Sequence, residues 1–270
     1  MSLMLCRVEP VEVPYYVEEL GIHLYSSQEL CYVIYNHPLL VMEDFVNERL
    51  TAFIRSQLCL PFLAERLEKW IEGRGVSDEL LFLILQECFY YSPQEQTKYR
   101  QDVTALRKLP PEEYRKRRAD YFYRLKLYGR AVSMYEKILE EETENGLSPE
   151  FRGKLWNNIA ACYTRLFCYQ KAMHACDCAY CADGDREYIR RMYLLSMMAP
   201  EIRIKDRYQE LMTDEEKETW RKEAEKEKTE AEKDRAAVEI MQLFEKDPVK
   251  RAAGAGECLN RWKVEYRRMI

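Results

Sequence analysis

The stretch from Lys154 to Gly184 constrains the fold more than any other part of this 270-residue chain. Large and small apolar residues recur there at helical spacing. Small residues let two helix backbones approach, and large residues fill the space between them. The pattern therefore predicts a helical hairpin that stacks on neighbouring helices. The positions that carry it are Trp156, Ile159, Ala160 and Tyr163 on a first helix, then Ala172, Cys176 and Ala179 on a second.

A weaker copy of the same pattern lies upstream, between residues 112 and 139. It repeats the order of small and large residues but lacks an opening Trp. The distance from Ala131 in this copy to Ala172 in the clear one is 41 residues. The positions that carry the upstream copy are Ala119, Phe122, Ala131, Tyr135 and Ile138.

These two segments resemble the tetratricopeptide repeat, whose Trp–Leu–Gly–Tyr–Ala–Phe–Pro signature recurs about every 34 residues. In the clear copy Ile159, Ala160, Cys176 and Gly184 replace Leu, Gly, Phe and Pro of that signature. The offset of 41 residues exceeds the family period by about two helical turns, so the same face still points inward. The resemblance covers about residues 112–199, and it implies a ladder of helical hairpins that binds protein or peptide partners.

The predicted fold class is all-α, with one or two short strands or an extended arm near the N-terminus. Weak alternation of apolar residues from Val8 to Leu24 suggests those strands. We divide the chain at Leu109-Pro110-Pro111 into a mostly helical domain of no assigned family, residues 1–108, and a repeat region, residues 109–200.

The repeat region is predicted to end in a capping helix from Arg186 to Met198, which covers its last apolar face. Residues 201–270 are predicted to form one long charged helix and a short C-terminal helix. Gly254 and Gly256 are expected to separate the two. The short helix carries an apolar stripe at Leu259, Trp262, Tyr266 and Met269.

Composition predicts a cytoplasmic protein. The ten cysteines are diluted in a long chain without an evident secretory leader, so we expect reduced thiols. The longest apolar run, Leu80 to Leu85, is far shorter than the roughly 18 residues that cross a bilayer. The net charge of −5 argues mildly against general binding to nucleic acid or to anionic membranes.

Enzymatic activity and cofactors are not expected, because the phosphate-loop, zinc-protease and serine-hydrolase motifs are all missing from the sequence. The cluster His174, Cys176, Cys178 and Cys181 has the residue types that bind zinc. Structural zinc sites normally draw paired cysteines from turns, whereas this cluster lies in a predicted helix. We therefore interpret these residues as small buried thiols and expect no metal.

A basic run interleaved with aromatic residues, from Arg115 to Lys126, supports an alternative hypothesis, a regulatory protein that contacts nucleic acid. The N-terminal domain could serve the same purpose. However, residues 1–108 carry 10 basic and 16 acidic residues, which opposes binding to phosphates. Nucleic acid is thus the less favoured partner.

The favoured hypothesis is an adaptor or scaffold that recognises a protein or an acidic peptide. In the tetratricopeptide family the first helix of each repeat lines the concave surface. The matching positions here, mainly cations and amides, suit charge-assisted hydrogen bonds to carboxylates. The predicted partner-binding residues are Lys116, Asp120, Tyr123, Arg124, Lys154, Asn157, Asn158, Thr164 and Arg165.

Overall fold

A computed structural model describes residues 10–73, 77–141 and 146–270. These residues form fifteen helices and one two-stranded sheet, which confirms the all-α class and the small N-terminal β element. The chain divides into two compact units, one up to Tyr121 and one from Phe122 onward. The division falls inside a helix, whereas the boundary proposed at Leu109–Pro111 falls in the link that precedes it.

The first unit begins with the sheet, in which β1 (Tyr15–Val17) pairs antiparallel with β2 (Ile22–Leu24). The connecting turn places Gly21 at a φ of 64°, where a residue without Cβ is favoured. Of the residues that predicted strands here, Val8 lies outside the described residues.

Helices make up the rest of the first unit. Helix α5 contributes most to its core, because all six residues of the Leu80–Leu85 run are buried against α1, α4 and α6. The helices are α1 (Ser27–Asn36), α2 (Pro38–Val41), α3 (Glu48–Ser56), α4 (Pro61–Glu72), α5 (Ser77–Glu87), α6 (Pro93–Arg107) and α7 (Pro111–Arg124), whose last three residues belong to the second unit.

One ion pair ties three helices of the first unit together. Asp78 at the start of α5 is buried, and it accepts hydrogen bonds from Arg107 at 2.9 and 3.0 Å. The same guanidinium donates to the carbonyl oxygen of Met42, next to α2, at 2.7 Å. The buried charge is therefore paired and hydrogen-bonded, which offsets the cost of removing it from water.

In the second unit successive helices pack side by side. Helix α9 packs against both α8 and α10, α10 packs against α11, and α11 packs against α13. The elements are α8 (Tyr128–Glu140), α9 (Pro149–Arg165), α10 (Tyr169–Asp183), α11 (Glu187–Met198), α12 (Asp206–Gln209), α13 (Asp214–Ala231), α14 (Arg235–Phe244) and α15 (Pro248–Met269).

The small residues predicted to sit between helices are buried. Ala131 in α8 and Ala172 and Ala179 in α10 are fully covered, and Ala160 in α9 is nearly so. The prediction that Trp156 fills the core is wrong, because its side chain is only half-buried. Its neighbour Leu155 occupies the core instead.

The prediction for the C-terminal helices also needs correction. Helix α15 runs without interruption through Gly254 and Gly256. At Gly254 the missing side chain is the reason: a Cβ there would lie 2.4 Å from Leu243 of α14, so glycine allows the two helices to pack closely. The long charged helix ends at Ala231, and Asp234 caps α14 as a separate helix.

Candidate functional site

The nine predicted partner-binding residues do not form one set in the structure. Lys116 and Asp120 belong to the first unit, where they form an ion pair of 2.8 Å one turn apart on α7. The other seven belong to the second unit. We call these seven the polar face: Tyr123 and Arg124 at the end of α7, and Lys154, Asn157, Asn158, Thr164 and Arg165 on α9.

Two asparagines of the polar face connect α9 to its neighbours. Asn157 accepts a hydrogen bond from Arg191 of α11. Asn158 donates to the hydroxyl of Tyr135 of α8 at 3.3 Å, and Tyr135 is buried. Since amides can donate and accept at once, these residues link α8, α9 and α11 while remaining at the surface.

The end of α7 is joined to the end of α9. Arg165 donates a hydrogen bond to Tyr123, which raises the pKa of Arg165. The ring of Tyr123 packs against that of Tyr128 with centroids 5.2 Å apart. Thr164 instead donates to the carbonyl oxygen of Ala160 in its own helix at 2.8 Å. Its hydroxyl is therefore satisfied without a partner molecule.

The two remaining members of the polar face, Arg124 and Lys154, are exposed cations. Hydrogen bonds from the backbone and from Ser148 at the start of α9 lower the pKa of Glu150, and the charge of Lys154, one turn later, adds a smaller effect in the same direction. These cations are thus the members of the polar face that best suit contact with an anionic partner.

Arg191 also contacts the polar face, although the sequence pattern does not single it out. It is half-buried on α11, where it bonds Asn157 and also lies 3.4 Å from Glu187. If α11 is taken as the first helix of a third repeat, the repeat spacing places Arg191 next to α9, the first helix of the preceding repeat. The poor match of this segment to the repeat hid that position.

The basic run from Arg115 to Lys126 is partly neutralised. Besides the pair of Lys116 with Asp120, Arg118 lies 3.9 Å from Glu43. Lys126 lies 3.4 Å from Glu265 of α15. These carboxylates reduce the positive potential that the sequence alone suggests.

The interpretation of the cysteine cluster of α10 as small buried thiols is wrong in part, because Cys176 is buried but Cys178 is half-buried and Cys181 is exposed. Burial raises the pKa of the Cys176 thiol to about 12, so it is uncharged at neutral pH. Cys178 lies 3.7 Å from the Nε2 atom of His174, and Cys181 accepts a weak contact from Arg207. Among the described residues, no group of three or more His, Cys, Asp or Glu side chains has the geometry to hold a metal ion.

A carboxylate in the middle of α10 anchors the chain that follows α11. Asp177 is buried and accepts hydrogen bonds from Lys205 at 2.7 Å, from Arg207 and from the hydroxyl of Tyr208. Burial opposes its ionisation, but the three hydrogen bonds outweigh burial and lower the pKa of Asp177 to about 2. Beside this anchor lies an open cavity of about 380 Å³, lined in part by His174 and Arg203.

No protein-family model, curated protein or solved structure matches this chain. Within the part of the chain that the structure describes, no helix is both long and apolar enough to cross a membrane.

Proposed function

We propose that this chain is a tetratricopeptide-like adaptor or scaffold, without enzymatic activity or cofactor, that recognises an acidic peptide or protein segment in the cytoplasm. The polar face is the proposed binding surface. Arg124 and Lys154 make the first contacts with partner carboxylates, and Arg165 on α9 and Arg191 on α11 supply further cations.

The observation that supports this proposal best is how the polar face is built. Side-chain bonds join consecutive first helices of the ladder, through Tyr123 and Arg165 between α7 and α9, and through Asn157 and Arg191 between α9 and α11. A surface fixed in this way loses little conformational entropy when a partner binds.

The chemistry of the face favours carboxylates over neutral ligands. Arginine can donate two parallel hydrogen bonds to a carboxylate, and lysine supplies a compact positive charge. Such contacts increase the association rate and the selectivity for acidic partners more than they increase raw affinity. Binding is therefore expected to weaken as salt is added.

The test is a capture experiment with the full chain as bait and a soluble extract as the source of partners. The variant with Arg124→Glu and Lys154→Glu reverses the two exposed cations of the polar face. Its matched control carries Lys98→Glu and Lys137→Glu, which changes the net charge equally at exposed positions elsewhere.

The proposal predicts that the wild type and the control capture the same protein, and that the polar-face variant loses it. If all three proteins capture the same partner, the polar face is not its binding surface. Retention of nucleic acid that is lost on Arg115, Arg117 and Arg124 replacement would favour the alternative regulatory function.

A further inference from the structure

The open cavity beside Asp177 is separate from the polar face, because none of the described residues that line it belongs to that face. Its volume of about 380 Å³ falls within the range of small-molecule sites, roughly 300–1,000 Å³. Helix α10 supplies one wall from a single helical stripe, Gln170, Met173, His174 and Asp177. The rest of the lining comes from α11 and from the chain that follows it.

Hydrogen bonds fix the wall that follows α11. Asp177 is only 9% exposed, and it accepts hydrogen bonds from Lys205 at 2.7 Å and from the Tyr208 hydroxyl. Within the wall itself, the side chain of Gln209 donates to the carbonyl oxygen of Ile204 at 2.9 Å. A cavity whose walls are already held in place loses little conformational entropy when a ligand enters.

Part of the lining is apolar. Met192 of α11 and Tyr208 are buried, and Met173 and Ile202 are half-buried at the cavity. Methionine side chains are flexible and polarisable, so they adapt to apolar groups of different shape. The cavity can therefore take up the hydrocarbon part of a ligand and remove it from water.

Two cations of the lining have hydrogen-bond donors to spare. The guanidinium of Arg203 makes no hydrogen bond or ion pair with any residue that the structure describes. Among the same residues Lys205 donates only to Asp177, so two of its three ammonium protons remain for a ligand. Arginine can bind both oxygens of a carboxylate in parallel, and lysine adds a compact positive charge.

The charges around the cavity favour a ligand with one negative charge. Asp177 forms ion pairs with Lys205 at 2.7 Å and with Arg207, so these three groups together carry a charge of +1. Arg203 adds one positive charge to the lining and Glu201 adds one negative charge. With histidine neutral, the formal sum is therefore +1. A monocarboxylate matches this charge, whereas a phosphate dianion would leave an excess negative charge beside Glu201.

We propose that this cavity binds a small monocarboxylic acid that has an apolar body. Arg203 and Lys205 bind the carboxylate, and the apolar body lies against Met173, Met192 and Ile202. The site goes beyond the proposed recognition of acidic segments by the polar face and does not depend on it.

The first test is a titration of the full chain with isocaproate, followed by NMR of isotope-labelled Met and Ile methyl groups. Saturable shifts are expected for the methyl signals of Met173, Met192 and Ile202, with the exposed Met241 of α14 as a reference. Isocaproamide lacks the charge and acetate lacks the apolar body, so each should bind at least about tenfold more weakly. Absence of saturable shifts with isocaproate, or equal affinities for the acid and its amide, would overturn the proposal.

Two substitutions within the cavity should act in opposite directions. Arg203→Gln removes a donor pair for the carboxylate, so it should weaken isocaproate binding by about tenfold or more. Glu201→Gln removes a carboxylate that repels the ligand, so it should strengthen binding. Both residues are exposed, so the fold should tolerate the changes. Unchanged affinity of Arg203→Gln, or weaker binding by Glu201→Gln, would contradict the charge argument.

Arg221→Gln is the matched control, because it removes the same charge from an exposed residue of α13 outside the cavity lining. It should bind isocaproate as the wild type does. If it loses as much affinity as Arg203→Gln, the effect is one of net charge and the proposed site is wrong.

A peptide separates a free acid from a peptide end as the ligand. Acetyl-Gly-Gly-Leu carries the same carboxylate and the same branched hydrocarbon group at its C-terminus. It should bind more weakly than isocaproate, because its peptide groups would lose hydrogen bonds to water against the apolar lining. Tighter binding of the peptide would overturn the assignment to a small acid.

Discussion

At the scale of single residues, α9 shows how adjacent positions on a helix differ in what they contribute. Leu155, Ile159 and Cys162 are fully buried at steps of four and three residues. Trp156 is rotated off that stripe, and its ring meets His174 edge-on with centroids 6.5 Å apart. Burial, rather than size, decides which of the two neighbours stabilises the fold.

Replacing Leu155 by Ala should therefore lower the free energy of unfolding by about 2–5 kcal/mol, since it leaves a cavity in a packed core. Trp156→Ala should cost clearly less, because its ring already contacts solvent. Chemical denaturation of both variants measures the difference. A larger loss for Trp156 than for Leu155 would refute this assignment of the core.

Asp177 gives a prediction about pH. Its pKa of about 2 in the folded protein is below the usual value of about 3.9, so its ionised form stabilises the fold. That stabilisation, about 2 kcal/mol, is fully present above the unfolded pKa and is lost as the pH falls through the folded pKa. Asp177→Asn should remove it.

The measurement is the free energy of unfolding of wild type and Asp177→Asn from about pH 6 down to about pH 2.5. The gap between the two proteins should be constant near neutral pH and shrink below about pH 4. A gap that is independent of pH would mean that the charge of Asp177 does not contribute to stability.

At the scale of helices and turns, local sequence signals predict where several helices begin and end. Ser148 with Pro149 predicts the start of α9, and the Ser148 hydroxyl indeed accepts a hydrogen bond from the Phe151 amide at 3.2 Å. Thr213 and Glu216 form a capping box at the start of α13, in which each side chain bonds the backbone of the other residue. Gly184 ends α10 with a φ of 77°, a conformation that suits glycine.

The cap of α9 can be tested directly. Ser148→Ala should lower the free energy of unfolding by about 1 kcal/mol, because the Phe151 amide loses its acceptor. Ser148→Asp should retain most of the stability, since a carboxylate accepts the same hydrogen bond and favours a helix N-terminus. Equal losses for both variants in thermal denaturation would rule out the capping role.

Long-range packing could not be predicted so well. Glycine disfavours helix, so Gly254 predicted a break in the C-terminal region. The close packing of Leu243 of α14 against Gly254 explains why α15 contains a glycine there. In the sequence, nothing distinguishes Asp177 from a surface carboxylate. Its role depends on Lys205, Arg207 and Tyr208, which the fold brings next to it. Neither contact leaves a local signal, because both depend on residues distant in sequence.

The candidate site was predictable in part for the same reason. Repeat register selected Asn157, Asn158 and Arg165 on α9, and these residues do lie at contacts between helices. The register did not reveal that their hydrogen bonds are used within the chain. Nor did it reveal Arg191, whose segment departs from the repeat pattern.

At the scale of the whole molecule, charge is distributed unevenly along a chain with a net charge of −5. Helix α15 carries six basic and two acidic residues, whereas α13 carries eight acidic and five basic residues. The polar face lies on neither helix, because its residues belong to the end of α7 and to α9.

The most direct test of the recognition account is the dissociation constant for the captured partner, measured by titration calorimetry with the purified full-length chain. We predict that Arg124→Glu with Lys154→Glu weakens binding by about tenfold or more, or about 1.4 kcal/mol. The Lys98→Glu and Lys137→Glu control should bind as the wild type does. Equal dissociation constants for the wild type and the polar-face variant would contradict the account.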